Sequence, residues 1–291
     1  SGPRKVATPL SAEIPAPVRM TIEGESGIGA SKGLGARDAR DMTAIGIFGV
    51  TGRMAKAIAN EVAGTDAKVI GGIGRDGAVH GDFETPEALA QAADVLIDFT
   101  LPAGLQDHLQ IATQAGKPLM IGTTGLSPED HQAIDKAAQN IAIVQAYNTS
   151  LGIAMLSHLV REAAARLGPE WDIEIVEAHH RNKIDAPSGT ALLLGKAAAE
   201  GRGATLQELS RFNRIGFEAH AREPGTIGYA SLRGGSIVGD HMVMLASDDE
   251  RLELAHRAEN RRIFARGAVR AAGWLIGKAP GRYTMDNVLG L

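Results

Sequence analysis

The 291-residue chain has a formal net charge of −4, is 44% hydrophobic and 22% charged, and contains no cysteine. This composition is ordinary for a globular protein, and the length suits two domains. The lack of cysteine excludes disulfides and zinc–thiolate sites, and the charge gives no reason to expect nucleic acid or a membrane as partner. No apolar run approaches the roughly 20 residues that span a bilayer. We therefore expect a soluble, cytoplasmic protein.

The first 41 residues differ in pattern from the rest of the chain. Four prolines and then five glycines between residues 24 and 35 interrupt them, and neither a helical nor a strand period runs through them. We interpret residues 1–41 as a flexible leader, with the natural start near Met42. Residues 27–33 look like a phosphate loop but lack a preceding strand and the required spacing, so a disordered tail is the preferred interpretation.

From Met42 onwards, short apolar runs alternate with helical patterns. Strands are predicted at 44–49, 68–74, 94–100, 118–122 and 141–146, and helices at 53–63, 103–115 and 128–139. Strands that alternate with helices form parallel sheets with right-handed crossovers. Residues 42–147 are therefore predicted to form a doubly wound domain.

The rhythm changes after residue 148. A helix at 150–167, a strand at 171–178 and a helix at 188–200 precede three predicted strands at 226–233, 236–246 and 252–257. Consecutive strands with short turns favour an open antiparallel sheet, or a mixed one. A final amphipathic helix at 262–277 can pack back on the first domain. The predicted fold is thus α/β, with a dinucleotide domain (42–147, completed by 262–291) and an α+β substrate domain (148–261).

A glycine turn joins the first predicted strand to the first helix. Gly49 permits the tight turn, Gly52 lets the backbone approach a pyrophosphate, and Ala55 allows close helix–sheet packing. The helix start offers unpaired N–H groups and a positive dipole end to phosphates. The pattern predicts a Rossmann-type dinucleotide site, and a purely structural turn is the alternative.

Gly74 and Arg75 end the second predicted strand, where a site selective for NAD usually has an acidic residue. The Arg75 guanidinium can pair with a 2′-phosphate, and no carboxylate at 74 opposes it. We therefore expect NADPH to be preferred, with NADH possible; a merely solvated Arg75 is the alternative. Loops at 122–125 and 146–149 follow later strands and can contact the nicotinamide half, or can be ordinary turns.

Residues 177–190 are dense in titratable groups and directly follow a strand. Adjacent side chains at a strand end face opposite sides, so only one of His179 and His180 can easily reach a given atom. Histidine exchanges protons near neutral pH, Lys183 adds a cation, and Ser188 caps a helix whose first N–H groups form an anion site. We predict acid–base chemistry on a carboxylate-bearing substrate. A metal site, for which adjacent histidines lack the helical spacing, and a structural loop are the alternatives.

Several motifs occur in an order that is known from one family. They are Gly-x-x-Gly-Arg-Met at 49–54, Asp-Phe-Thr at 98–100, Gly-Thr-Thr-Gly at 122–125, Glu-Ala-His-His at 177–180, Lys-x-Asp-Ala-Pro-Ser-Gly-Thr at 183–190, Pro-Gly-Thr-Ile-Gly at 224–228 and Val-Gly-Asp-His at 238–241. Over residues 42–291 the chain resembles the dihydrodipicolinate reductase family, also called 4-hydroxy-tetrahydrodipicolinate reductase. The resemblance implies an oxidoreductase of lysine and diaminopimelate biosynthesis. It would transfer a hydride from NAD(P)H to C4 of a cyclic unsaturated imine dicarboxylate, with protonation at the neighbouring carbon.

The resemblance also implies roles for individual residues. His179 would be the acid/base and Lys183 the proton donor, whereas spacing alone does not separate His179 from His180. Substrate carboxylates would be bound by His180, Lys183, Ser188, Gly189 and Thr190. The cofactor would be held by Gly49, Val50, Thr51, Gly52, Arg53, Met54, Arg75, Gly122, Thr123, Thr124, Ala146, Tyr147, Asn148 and Thr149. No metal is implied, and the family is typically a homotetramer assembled through the sheet of the substrate domain.

Two positions depart from the family pattern. Many relatives have an acidic residue where this chain has Gly74, and many have phenylalanine where it has Thr149. The first departure bears on the choice between NADH and NADPH, and the second on packing near the nicotinamide. Another two-domain reductase, such as an amino-acid dehydrogenase, and a nucleotide-sensing protein without turnover are the alternative functions.

Overall fold

A computed structural model describes residues 42–212 and 221–291. The predicted leader at 1–41, with its glycine-rich segment, lies outside the described residues. Two β-sheets, one of seven strands and one of five, organise the described chain. None of its helices has both the length and the apolar character needed to cross a bilayer.

The first sheet is parallel except at one edge. Its strands are β1 (Thr43–Phe48), β2 (Ala67–Ile73), β3 (Val79–Gly81), β4 (Val95–Asp98), β5 (Leu119–Ile121), β6 (Ala142–Gln145) and β12 (Gly281–Tyr283). They lie in the order β12-β6-β5-β4-β1-β2-β3, and only β3 is antiparallel to its neighbour, β2. The chain runs outward from β1 in one direction to β2 and returns on the other side at β4. Open sheets of this kind bind ligands at such a switch point.

Helices cover both faces of this sheet. They are α1 (Arg53–Val62), α2 (Pro86–Ala92), α3 (Leu105–Ala115), α4 (Pro128–Ala137), α8 (Arg262–Leu275) and α9 (Met285–Leu289). One apolar core joins the sheet to α1 and α8, and a second joins it to α2, α3 and α4. Successive strand residues alternate between these two cores, as Leu96 and Ile97 do. The strands therefore read as continuous apolar runs because both faces are buried, and the predicted doubly wound parallel sheet is confirmed.

The element boundaries mostly lie within two residues of the prediction. Prediction missed β3, α2 and β12, because elements of three to seven residues carry too little periodicity to be recognised. The predicted helix at 103–115 begins instead with a turn of 3₁₀-helix over Pro102–Gly104. The strand β12 pairs in parallel with β6, and α8 contacts α1, so the C-terminal segment belongs to the first sheet.

The second sheet is mixed. Its strands are β7 (Asp172–His179), β8 (Ser210–Arg211), β9 (Ile227–Arg233), β10 (Asp240–Ala246) and β11 (Arg251–Arg257), in the order β11-β10-β7-β9-β8. The predicted alternative of a mixed sheet is confirmed, because β7 is parallel to β9 and antiparallel to β10. The consecutive strands β9 and β10 are not neighbours, since β7 lies between them. The 234–239 segment crosses the end of β7, where the Gly234 N–H bonds the His179 carbonyl at 2.9 Å. The predicted strand at 236–246 therefore begins only at Asp240.

One face of the second sheet is covered by α5 (Leu151–Leu167) and α6 (Gly189–Gly201), and α7 (Leu206–Leu209) contacts α6. Inward residues of β7 and β10 alternate with outward ones. Ile173, Ile175, Val243 and Leu245 are fully buried in the core beneath the helices. This alternation places Glu177 and His179 on the helix-covered face of β7 as well.

Candidate active site

The glycine turn has the geometry that a phosphate-binding turn needs. Gly49 has a φ of 87°, in the region that favours glycine. Its N–H and that of Val50 bond the Ile73 carbonyl at 2.8 and 3.0 Å, which ties the turn to β2. Helix α1 begins after Gly52 without a side-chain cap. The N–H groups of its first turn are therefore available to an anionic ligand.

A cleft of about 970 Å³ brings most of the predicted site residues together. It is lined from the first sheet's side by the start of α1 and by the loops that follow β5 and β6. From the second sheet's side, it is lined by the histidine segment and the start of α6. The predicted residues that line it are Arg53, Met54, Gly122, Thr124, Ala146, Tyr147, Asn148, Thr149, His179, His180, Lys183, Ser188, Gly189 and Thr190.

The other predicted cofactor residues lie outside this lining. Gly49, Val50, Thr51 and Gly52 form the turn before α1. Arg75 is exposed in the turn that follows β2. A Cβ on Gly74 would lie 2.7 Å from Asp76 Oδ1 and 2.9 Å from His80 Nε2, so this turn leaves no room for an acidic side chain at position 74 without movement of these two side chains.

Thr123 is buried behind the cleft and belongs to a network around Asp98. The Asp98 carboxylate, fully buried, accepts hydrogen bonds from the hydroxyls of Thr100 (2.6 Å) and Thr123 (3.1 Å), and it contacts His108 Nδ1 at 2.9 Å. The His108 ring stacks on Phe48 at 4.2 Å. This network joins the loops after β4 and β5, so Thr123 anchors the Gly-Thr-Thr-Gly loop from inside.

The 146–149 loop is held by contacts on three sides. The Tyr147 hydroxyl lies 2.8 Å from His131 Nε2, and the Asn148 amide donates to Thr190 Oγ1 at 3.0 Å. Thr149 is buried, and its hydroxyl donates to the Phe264 carbonyl at 2.7 Å. Thr149 therefore ties the loop to α8.

The two histidines at the end of β7 face different surroundings, as their adjacency predicts. His179 is buried on the helix-covered side of the sheet. His180 lies just past the strand, where its Nε2 is 3.3 Å from a guanidinium nitrogen of Arg261. Both line the cleft, but only His179 has a carboxylate partner within β7.

That partner is Glu177, which is buried and surrounded by hydrogen-bond donors. Its two oxygens accept from both terminal nitrogens of Arg233 at 2.7 and 2.8 Å. One also contacts His179 Nδ1 at 2.5 Å, and the other accepts from the Ser188 N–H at 3.2 Å. Burial would raise the pKa of this carboxyl, but the hydrogen bonds from Arg233, Ser231 and His179 lower it to about 2. Glu177 is therefore a carboxylate at neutral pH.

Because ionised Glu177 accepts hydrogen bonds only, His179 Nδ1 carries a proton and His179 Nε2 carries a lone pair when the ring is neutral. Burial lowers the pKa of His179, against the opposing effect of Glu177. The ring is thus held neutral with a proton acceptor at Nε2. A Cβ on Gly239 would lie 3.1 Å from that nitrogen, so glycine at this position preserves space around it.

Lys183 and the start of α6 supply the positive side of the cleft. Lys183 Nζ lies 2.8 Å from both carboxylate oxygens of Asp185, and this pairing lowers the pKa of Asp185. Ser188 caps α6 by accepting from the Ala191 N–H at 3.1 Å. Gly189 and Thr190 form the first turn of the helix and line the cleft. An anion placed here meets an ammonium group, a hydroxyl and a helix N-terminus together.

The structure adds residues that sequence reasoning missed. Asn260, Arg261, Arg262 and Phe264, at the start of α8, line the cleft. A basic pair at the start of a helix was visible in the sequence, but nothing in it showed that this helix begins beside the histidine segment. The role of Arg233 as the partner of Glu177 was missed for the same reason. Among the described residues, no group of three or more His, Cys, Asp or Glu side chains could hold a metal.

Comparisons with known proteins agree on one family. Residues 43–149 match the family described as dihydrodipicolinate reductase, N-terminus, and residues 152–289 match its C-terminus. A 4-hydroxy-tetrahydrodipicolinate reductase from Zymomonas mobilis is 56% identical over 247 residues, which cover 85% of this chain and 97% of the relative. Another of the same name, from Parvibaculum lavamentivorans, is 46% identical over 84% of this chain and 97% of its own length.

Solved structures show the same fold. The dipicolinate-bound dihydrodipicolinate reductase from Paenisporosarcina sp. TG-14 superposes with a TM-score of 0.68 over 84% of this chain and 97% of its own. Its sequence identity is 23%. A probable dehydrogenase from Thermotoga maritima gives a TM-score of 0.54 at 10% identity, over 84% of this chain and 92% of its own.

The doubly wound sheet, the glycine turn and the cleft are features of a dinucleotide-binding protein, and the family match and the named relatives show that it is an oxidoreductase that uses a pyridine nucleotide. The matches to both family models and the 56% identity to a named relative identify one family within this class. The chain belongs to the dihydrodipicolinate reductase family, and the resemblance found in the sequence is confirmed.

Proposed function

We propose that this chain reduces 4-hydroxy-tetrahydrodipicolinate to tetrahydrodipicolinate with a reduced pyridine nucleotide. The observation that carries the proposal is the single cleft in which the nucleotide-side loops meet His179, Lys183 and the start of α6. The name of the relatives supplies the substrate, which is a small dicarboxylate. The proposal includes a role in lysine and diaminopimelate biosynthesis and a location in the cytoplasm.

The residues present fit a dinucleotide. The uncapped start of α1 and the left-handed Gly49 leave N–H groups and space for a pyrophosphate. Gly49 to Met54 would hold it, with the loops at 122–124 and 146–149 around the nicotinamide half. When bound, the nicotinamide supplies a hydride to C4 of the substrate ring. The Asp98 network and the contacts of Thr149 hold the two loops in place around the cofactor.

Substrate carboxylates are proposed to bind on the opposite wall of the cleft. Lys183 Nζ, the Ser188 hydroxyl and the N–H groups of Gly189 and Thr190 supply donors at one end of the site, with His180 beside them. The ammonium group of Lys183 is paired with the Asp185 carboxylate in this structure. A substrate carboxylate would therefore replace Asp185 as the partner of Lys183, or would bind Lys183 together with Asp185. The site would thus bind a dianion through one ammonium group and several fixed hydrogen-bond donors.

The 4-hydroxyl leaves as water together with a proton from the neighbouring carbon, which gives the unsaturated imine ring. Hydride then adds at C4 of this ring, and the neighbouring carbon takes up a proton. Lys183 is the proposed proton donor, and His179 the acid/base that exchanges a proton through Nε2. The hydrogen bond between His179 Nδ1 and Glu177 favours His179 over His180 as the acid/base, because it fixes both the tautomer and the orientation of the His179 ring. The paired Arg233 keeps Glu177 ionised throughout, so Glu177 orients His179 without taking its proton.

The first test is turnover. Oxidation of NADPH with freshly generated 4-hydroxy-tetrahydrodipicolinate should be rapid for the wild type. His179→Ala and Lys183→Ala should each lower kcat by roughly 100- to 10,000-fold, because each removes a group that moves a proton. Arg166→Ala, which breaks only an exposed pair with Glu162, is the control and should keep wild-type kcat. Full activity in both active-site variants would refute the roles, and an inactive wild type would refute the function.

We further propose that NADPH is preferred over NADH. Arg75 is exposed after β2 and position 74 has no carboxylate, which suits a 2′-phosphate. The ratio of kcat/KM for NADPH to that for NADH should exceed one, and Arg75→Ala should lower this ratio by about tenfold because a charge-assisted bond is lost. The kcat/KM of Arg75→Ala with NADH should equal that of the wild type. A wild-type ratio below one would contradict the proposed preference.

A homotetramer is proposed from the second sheet. Its face away from α5 and α6 carries Val176, Met242 and Met244, half-buried, with Leu232 exposed beside them. Apolar side chains along an uncovered sheet are typical of a subunit interface. The family resemblance favours assembly through this sheet.

A further inference from the structure

His241 lies directly behind the proposed substrate site. It sits on the inward face of β10, opposite Glu177 of β7 and His256 of β11, and only 5% of it is exposed. Its ring is 5.1 Å from that of His179, at an interplanar angle of 75°. The proposed hydride and proton transfers do not involve this residue.

The contact that matters is with Ser188. His241 Nε2 lies 3.0 Å from Ser188 Oγ. His241 Nδ1 is buried and has no hydrogen-bond partner among the described residues. The ring is therefore held by a single hydrogen bond at one nitrogen, and the direction of that bond determines what the Ser188 hydroxyl can do.

A hydroxyl has one proton and two lone pairs. Ser188 Oγ already accepts from the Ala191 N–H, which caps α6. If His241 Nε2 accepted a bond, the only proton of Ser188 would point away from the cleft. If His241 Nε2 donates, both lone pairs are used and the proton of Ser188 is free to point into the cleft.

The buried Nδ1 favours the second arrangement. A bare buried N–H is costlier and rarer than a bare buried acceptor, so the proton belongs on Nε2, where it has a partner. We propose that His241 is a positioning residue, whose Nε2–H donates to Ser188 Oγ and thereby directs the Ser188 hydroxyl proton toward an anionic oxygen of the substrate. This inference rests on the proposed function, in which Ser188 binds a substrate carboxylate.

The surroundings keep His241 in this neutral form. Burial lowers the pKa of His241 to about 4, and repulsion from His179 acts in the same direction. The groups that face it are Glu177 and His179 from β7, His256 from β11, Ser188 at the start of α6, and Lys183 in the loop between β7 and α6. At neutral pH the ring therefore carries one proton, so the orientation of Ser188 does not change over the assay range.

The tautomer can be measured directly. The ¹⁵N chemical shifts of histidine distinguish a protonated nitrogen from a bare one, and His241→Gln supplies the assignment by loss of one spin system. At pH 7.5 we expect Nε2 to be protonated and Nδ1 to be bare. A protonated Nδ1 with a bare Nε2 would overturn the inference, whatever the effect of substitutions.

The functional test uses a matched pair of variants. The amide nitrogen of glutamine reaches the position of Nε2, whereas that of asparagine reaches only as far as Nδ1. His241→Asn should raise KM and the dissociation constant of dipicolinate by about tenfold, the effect of one lost hydrogen bond to a charged group. His241→Gln should stay close to wild type, and cofactor affinity should be unchanged in both variants.

A double-variant comparison shows whether His241 acts through Ser188. Ser188→Ala should weaken dipicolinate binding as much as His241→Asn does, and the double variant should be no weaker than either. Additive losses, or equal effects of glutamine and asparagine, would overturn the inference. Wild-type protein that neither binds dipicolinate nor turns over would instead refute the proposed function. Thermal unfolding shows whether each variant is folded. If a variant does not fold, the tautomer of His241 measured in the wild-type protein tests the inference without it.

Discussion

At the scale of single residues, the active site depends on the directions of hydrogen bonds. Glu177 accepts hydrogen bonds from Arg233, from His179 and from the Ser188 N–H, so all three of these neighbours donate to it. A carboxylate has enough lone pairs for all of them, whereas an amide has a donating end. The negative charge of Glu177 therefore determines the tautomer of His179, and with it which nitrogen is free for the proposed proton transfer.

Glu177→Gln tests this reasoning with almost no change in shape. The amide NH₂ would face a donor nitrogen of Arg233 in either orientation, and in one of them it would also face His179 Nδ1. In that orientation His179 can relieve the second clash by moving its proton to Nε2. We expect kcat to fall on the order of 100-fold or more, as in other histidines that lose an orienting carboxylate. Steady-state kinetics measure this loss, and Glu162→Gln on the exposed part of α5 should leave kcat unchanged. A Glu177→Gln variant with wild-type kcat would contradict the orienting role.

At the scale of elements, α8 controls the loop after β6. It approaches so closely that a Cβ on Gly267 would lie 1.6 Å from the Thr149 carbonyl oxygen. The Thr149 hydroxyl bonds the Phe264 carbonyl one turn earlier. A helix near the C-terminus therefore determines where a loop that lines the cleft lies, although this loop is about 115 residues earlier in the chain.

Two glycine substitutions in α8 distinguish the effect of this contact on stability from the effect of helix propensity. Gly267→Ala should lower the free energy of unfolding by about 3 kcal/mol, because backbone atoms must move apart. Gly273→Ala meets nothing within 4 Å, and it should raise the free energy of unfolding by up to about 1 kcal/mol, since alanine is the better helix former. Urea denaturation measures both changes. Equal effects of the two substitutions would show that the contact with Thr149 is unimportant.

At the scale of the whole molecule, the second sheet carries the candidate active site on one face and the proposed subunit interface on the other. Glu177, His179 and His241 point toward the helices, and Val176, Met242 and Met244 point away from them. The strict alternation of β7 and β10 thus separates catalysis from the proposed assembly. An interface on the outer face would stiffen the same strands that carry the catalytic residues.

Light scattering coupled to size exclusion tests the assembly. Wild-type protein should have a mass near 120 kDa, about four times the 30.4 kDa of one chain. Met242→Arg places a charge among apolar side chains and should give smaller species, because an unpaired charge is costly to bury. Gln110→Arg, on the exposed surface of α3, should keep the wild-type mass. A wild-type monomer would contradict the proposed homotetramer.

Local patterns in the sequence accounted for much of the first half of the molecule. Parallel strands buried on both faces are continuous apolar runs, and the glycine turn has a spacing that follows from its own backbone geometry. The residues of the histidine segment were likewise recognisable, because their chemistry and their position after a strand are both local properties. Short elements such as β3 and β12 were missed, since three residues show no period.

Only the tertiary structure decided how these pieces act together. Glu177 and Arg233 are 56 residues apart, Ser188 and His241 are 53 apart, and Asn148 and Thr190 are 42 apart. These pairs meet because β7 lies between β9 and β10 and because α6 starts beside the loop after β6. Strand order depends on burial over the whole chain rather than on any short window, so local periodicity predicts the strands but not their neighbours. The sequence by itself therefore determined which residues are candidates for the chemistry, and the sheet order decided which of them meet in one cleft.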